Sequence, residues 1–143
     1  MNTTEINRAM RRVPTYRGTF CSDNMPGTTG LIIANTDPCG RPGTHWIAIY
    51  ISPDRQRGEY FDSFGRLPIA RLANYLNRHC DRWYYCENQL QSVASSYCGV
   101  YCMLYCIHRS RGVDLENFIA CFSNDTGFND VIARHMLTKL GFQ

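Results

Sequence analysis

Three side chains of the kind that activate a nucleophile stand in short, distinctive settings. His45 opens the run His45-Trp-Ile-Ala-Ile-Tyr-Ile-Ser52, straight after a Gly/Pro-rich stretch, and Asp62 sits between Tyr60-Phe61 and Ser63-Phe64. Cys98 begins the longest apolar run of the chain and is followed by Gly99, which lets backbone or ligand approach closely. A thiol attacks as its thiolate, and a helix N-terminus with an adjacent imidazolium lowers its pKa. The imidazole needs an acceptor on its second nitrogen to hold one tautomer, a role open to Asp62. A tetrahedral oxyanion then needs donors. The backbone N–H of Cys98 is one, and the side-chain amide of Gln91, on the loop before the helix, is a second. Singly, each residue has a plainer reading: a strand-start histidine, a turn-facing carboxylate, a loop glutamine and one cysteine among eight.

The elements that must position them are legible in outline. Gly30-Leu-Ile-Ile-Ala-Asn35 reads as a strand closed by the turn-rich run 36–43. His45 to Ser52 is apolar on both faces and β-branched, a central buried strand. The turn 52–58, centred near Arg55, returns it as Glu59 to Phe64, an antiparallel hairpin that sets Asp62 beside His45 or one diagonal step away; sequence leaves that register open. An amphipathic helix is predicted from Ile69 to about His79 and a short strand over Arg82–Asn88. Cys98 to about His108 is apolar almost all round, hence a buried central helix, capped by Ser95 or Ser96 and closed by Arg109, Arg111 and Gly112. Two more helices follow, Asp114 to about Phe122 and Asn129 to Leu140. Strands, helix, strand, then helices make an α+β domain with a mixed or antiparallel sheet.

The 143 residues suit one domain, 1–143; 44% are hydrophobic, 19% are charged and the net charge is +3, a balance that excludes a disordered tail. The longest apolar run, Cys98 to Ile107, is about half of the ~20 residues a membrane span needs, and residues 1–13 show no secretory signal. The expectation is a soluble, intracellular globule without membrane contact. Its cysteines are then reduced core thiols, and none has Cys-x-x-Cys spacing. Cys98, Cys102 and Cys106 share a helical face, for which core packing is a better reading than a metal site. Of fifteen basic residues only Lys139 is a lysine. The arginines are scattered, so nucleic-acid binding stays open.

Taken together, Gly43-Thr44-His45-Trp46, Phe61-Asp62-Ser63-Phe64-Gly65 and Gln91 to Tyr97-Cys98-Gly99 occur in the order of the adenovirus protease (adenain) family, in the same clan as the SUMO-deconjugating Ulp proteases. Gln91 precedes Cys98 by seven positions, the spacing of the adenain branch. Tyr16 to Phe20 and Leu31 to Thr36 are similar to adenain segments as well. The resemblance implies the adenain/Ulp-like fold, with a mixed central sheet against a buried helix carrying the nucleophile and with flanking helices. It also implies a cysteine endopeptidase with His45 as base, Asp62 as its orienter, Cys98 as nucleophile and Gln91 as oxyanion donor, with Trp46 and Gly99 in the substrate cleft. Asp62 departs from the glutamate usual in adenoviral members, and the chain is shorter than theirs. His108 lies about 15 Å from Cys98 along the helix, too far to be the base.

The family further implies protein substrates cut near glycine, in the maturation of capsid or core precursors of a virus or virus-like element, located in the host nucleus or virion. No cofactor is needed for catalysis and no metal is expected. A disulfide-linked activating peptide and DNA are implied as activators, with Cys80 the candidate linking cysteine; oligomeric state is unreadable. The alternatives are a Ulp-type deconjugating protease, a YopJ-like acetyltransferase and a catalytically dead binding module. The spacing before Cys98 tilts against the first, the short chain against the second and four intact positions against the third.

Overall fold

A strand apolar on both faces needs both faces covered, and the fold is organised around that need. The structure, a computed structural model, describes residues 1–142. Among them, β1 (Tyr16–Cys21), β2 (Gly30–Asn35), β3 (Trp46–Ile51), β4 (Arg57–Phe61) and β5 (Arg82–Tyr85) form one sheet in that spatial order. β2, β3 and β4 are antiparallel neighbours, while β1 and β5 add to the two edges in parallel, so the sheet is mixed. The helices are α1 (Thr3–Met10), α2 (Ala70–His79), α3 (Cys98–Ser110), α4 (Leu115–Ile119) and α5 (Thr126–Lys139).

β3 splits its side chains by the period of two. Ile47, Ile49 and Ile51 join Ile32, Ala34 and Tyr60 beneath Leu72, Tyr75 and Leu76 of α2. Ala48 joins Leu31, Ile33 and Phe61 on the opposite face, which α3 covers together with α1, α4 and α5. α3 is therefore the middle of the larger core: Tyr101 to Cys106 are essentially inaccessible, and the Phe61 and Tyr105 rings stack at 5.3 Å. At about 1.5–3 kcal/mol for each large apolar side chain removed from water, this burial fixes the helix, and with it the residue at its first position.

Several expectations shift at the ends of elements. Neither Ser95 nor Ser96 caps α3. Its N-cap is Tyr97, whose side chain makes no capping bond, so the first-turn N–H groups beside Cys98 stay open to an anion. α4 stops at Ile119, and α5 starts at Thr126, capped by Asp125, which accepts from the Phe128 N–H at 3.0 Å. α1 and β1 had no place in the periodicity reading. α1 is announced by a capping box, Asn2 accepting from the Glu5 N–H while Glu5 accepts from the Asn2 N–H.

The reduced-thiol expectation is corrected at one pair. Cys21 and Cys39 form a disulfide. β1 ends opposite Asn35, and the chain then doubles back through Asp37, whose carbonyl accepts from the Ser22 N–H, and through Cys39, whose N–H donates to Asp23. That return sets the two Cα atoms 5.2 Å apart, within bridging reach. Cys80, Cys86, Cys98, Cys102, Cys106 and Cys121 are free.

Candidate active site

The β3–β4 hairpin resolves the open register. Ala48 pairs with Phe61, and the same register carried onward sets Phe64 opposite His45 and Asp62 one diagonal step away. The side chains follow it: the Phe64 ring stacks on the His45 imidazole at 5.0 Å, and His45 Nε2 meets Asp62 Oδ1 at 2.8 Å. Asp62 has left the strand. Its carbonyl accepts from the Gly65 N–H in a tight turn, and Oδ1 also accepts from the Phe64 N–H at 2.8 Å, so the carboxylate is aimed by its own backbone. Gly65 makes the turn possible. Its φ is +71°, and a Cβ there would lie 2.5 Å from the Glu87 carbonyl oxygen.

Cys98 comes to the same imidazole from the other layer, at the first position of α3. With Nε2 committed to Asp62, Nδ1 is the ring nitrogen left for the thiol. Burial alone would lower the His45 pKa, but its bonds to Asp62 and then Cys98 outweigh that and raise it to about 9. Burial likewise pushes the Cys98 thiol up, and His45 with the backbone N–H groups of Trp46 and Gly99 more than reverses the effect, holding it below its ordinary value. Both shifts favour a thiolate–imidazolium pair. Trp46 and Gly99 wall the site: a Cβ on Gly99 would come within 3.4 Å of the Trp46 ring and 3.1 Å of the Met1 sulfur. The Trp46 indole N–H donates to the Met1 carbonyl at 3.2 Å.

Gln91 lies on the loop before α3, and its side chain is fully enclosed. Nε2 donates to the Ser95 carbonyl at 3.0 Å and Oε1 accepts from the Ser63 hydroxyl at 2.6 Å. One amide N–H is therefore spent within the loop, which leaves a single N–H for an oxyanion. The loop is held from outside by α5, where Asn129 donates to the Leu90 carbonyl at 3.1 Å and Asp130 accepts from the Ser92 N–H at 3.4 Å, while Asp130 also accepts from the Tyr101 hydroxyl of α3 at 2.7 Å.

The structure buries Cys80. It is 8% exposed at the C-terminal end of α2, and its thiol donates to the Leu76 carbonyl at 3.2 Å, so a linking role there would require that bond to open. Cys102 and Cys106 are buried, with thiols pushed up by desolvation, and act as core residues. His108 bonds to the Leu104 carbonyl at the far end of α3. Ser63, Phe64, Asn129 and Asp130 were missed as supports of the site. Ser63 and Phe64 stood inside the aromatic motif around Asp62, but a motif gives no sign of which hydroxyl turns inward.

No protein-family model matches the chain. Over 109 residues it is 28% identical to a protein of Acanthamoeba polyphaga mimivirus provisionally named thiol protease R355, a match spanning 69% of this chain and 35% of that one. A crystal structure of the ASFV pS273R protease superposes with TM-score 0.64 at 18% identity, covering 90% of this chain and 63% of the protease. The chain has the fold of that protease. A selenomethionine structure of the same ASFV protease agrees, with TM-score 0.54 at 23% identity over 72% of this chain and 43% of that one. The chain thus spans about a third of its curated relative's length and under two thirds of the solved protease. No helix among the described residues is long and apolar enough to cross a membrane.

Proposed function

We propose that the chain is a cysteine endopeptidase in which Cys98 is the nucleophile, His45 the base and Asp62 the group that orients it. The observation that carries this reading is a buried imidazole held by Asp62 at 2.8 Å and shared with a thiol at the first residue of an uncapped helix. The Cys98 thiolate attacks the scissile carbonyl carbon, and the resulting oxyanion is held by the Cys98 N–H and the remaining Gln91 N–H. The tetrahedral species collapses to a thioester as imidazolium His45 gives its proton to the leaving amine. Water, deprotonated by His45, then attacks the thioester, releases the acid and returns the thiolate.

The substrate is a protein cut beside glycine. The closeness of Trp46 and Met1 to Gly99 supports a narrow cleft that excludes side chains near the thiol. Kinship with a mimivirus protein and the fold of a viral protease favour maturation of capsid or core precursors as its task, with a peptide or DNA as activator. No cofactor enters the chemistry.

Labelling with a glycine-ending electrophilic peptide, with and without DNA, followed by mass mapping, tests the reading. The expected adduct is on Cys98 and disappears in His45→Ala, while Cys80, Cys86, Cys102 and Cys106, whose thiols are all pushed up, stay unlabelled. Labelling of Cys98 no faster than of those thiols would sink the assignment.

A further inference from the structure

The mechanism above leaves one enclosed hydroxyl without a task. Ser63 is wholly buried and stands in sequence between Asp62, whose carboxylate holds His45, and Phe64, whose ring stacks on it. Its backbone carbonyl accepts from the N–H groups of both Leu90 (2.8 Å) and Gln91 (3.0 Å), and its hydroxyl donates to Gln91 Oε1 at 2.6 Å. We propose that Ser63 is a positioning residue that sets which face of the Gln91 amide is presented to the reacting carbonyl, so that the single dipeptide Asp62-Ser63 aligns the base with its carboxylate and the oxyanion donor with its hydroxyl. The inference rests on the cysteine-peptidase reading and extends it to how the oxyanion site is built.

A primary amide is nearly symmetrical in shape, and an enclosed one turns whichever way its partners dictate. The Ser95 carbonyl can only accept, so it fixes Nε2 on its side. The opposite side then offers Oε1, and a group there must donate; the Ser63 hydroxyl does. With both ends fixed, the second N–H of Nε2 has one direction left to it. Take the hydroxyl away and Oε1 becomes a buried acceptor without a donor. The amide relieves that by rotating toward another donor, and the N–H meant for the oxyanion rotates with it. The main chain of the loop has no need to follow. It is held by the two bonds to the Ser63 carbonyl, by Gln89 Nε2 donating to the Gln91 carbonyl at 3.0 Å, and by Asn129 at the Leu90 carbonyl. Orientation of the amide and placement of the loop therefore rest on different atoms of Ser63, and replacing it by alanine removes only the first.

The test uses the full chain with an internally quenched peptide carrying glycine at the cut, and compares wild type, Ser63→Ala, Gln91→Ala and the double variant. Iodoacetamide alkylation of Cys98 is run beside it, because displacement of iodide passes through no oxyanion. A donor misplaced by ~1 Å costs up to about 10²-fold, so Ser63→Ala should lower kcat about 10- to 100-fold with KM nearly unchanged. Alkylation should keep the wild-type rate, and the double variant should be no slower than Gln91→Ala alone, the non-additivity expected of residues acting as one unit. Ser63→Cys, close in size with a weak donor, should fall between serine and alanine. The proposal is overturned if Ser63→Ala keeps the wild-type kcat, if it slows alkylation as much as turnover, or if its loss and that of Gln91→Ala multiply. Wild-type protein that neither cuts the peptide nor forms a Cys98 adduct overturns the peptidase reading instead, and this inference with it.

Discussion

The two ends of α3 each dock on a charged cluster of the sheet, and the clusters are built on opposite logic. At the C-terminal end the fully buried Glu59 of β4 faces Arg57 at 2.9 Å and Arg109 at 3.7 Å, and accepts from the Tyr105 hydroxyl at 2.6 Å. Arg57 reaches on to Glu116 at 3.0 Å, and Arg109 lies over the Tyr50 ring at 4.2 Å. The arginines keep their protons at any ordinary pH. Burial, reinforced by Glu59, drives the Tyr105 phenol far up, so it keeps its proton as well. This end fastens the helix. At the N-terminal end the groups are a histidine and a thiol, and the surroundings raise one pKa and lower the other until a proton can pass between them. The fastened end is built on arginines and a phenol that keep their protons, whereas the end proposed for the chemistry holds groups that can exchange one.

Breaking one end should leave the other's property intact. The largest effect is expected from Cys98→Ala, which removes the nucleophile: turnover of a glycine-containing peptide should vanish, while the thermal midpoint stays near that of wild type. Residual turnover at the wild-type rate would place the chemistry elsewhere. Glu59→Ala should do the reverse. Removing one partner of a buried ion pair costs about 3 kcal/mol, or roughly 10 °C in the unfolding midpoint for a chain of this size, whereas the turnover of molecules still folded at lower temperature should be unchanged. An unmoved midpoint would mean that the cluster does not fasten α3.

The smallest effect is the most diagnostic. The ion pair needs a protonated His45, so turnover should fall as pH rises through about 9 and the imidazolium is lost. Asp62→Asn removes the opposite charge and should move that alkaline limb down by about one to three pH units, leaving the thiol open to alkylation. A limb that stays put would show that another group holds His45. Stability obeys the same sign. The raised histidine contributes fully below its unfolded pKa of about 6.5, and its contribution is lost as pH climbs through about 9.

What was legible in the sequence followed the strength of the local pattern. β2, β3 and α3 are apolar on every side or nearly so, and such runs have few places to go but between layers. His45 and Cys98 were visible because each borders one of those runs, and Asp62 because it interrupts the aromatic stretch Tyr60 to Phe64. Side-chain directions were not visible. Register decides whether Asp62 is opposite or diagonal to His45, and a turn of four residues sets it. α1 offers only Ile6 and Met10 as buried residues among polar ones, so its signal lay in its cap rather than its periodicity. The pairing of Cys21 with Cys39 depends on how the chain returns after β2, a tertiary event that cysteine spacing does not encode. The oxyanion role proposed for Gln91 rests on its type and position in the sequence, while its bonds to Ser63 and Ser95 appear only once the loop is folded.

Strand order in the sheet repeats chain order, so each strand pairs with the one made just before it, and loop closure stays short. All five strands, with His45 and Asp62, precede Cys98 in the chain and are synthesised before it, while the helix that carries the thiol supplies the middle of the larger core. Until α3 docks, that cysteine is an ordinary thiol with no imidazole beside it. Its reactivity is thus a late event of folding, and the rate at which it takes up an electrophile becomes a clock for the moment the two layers close.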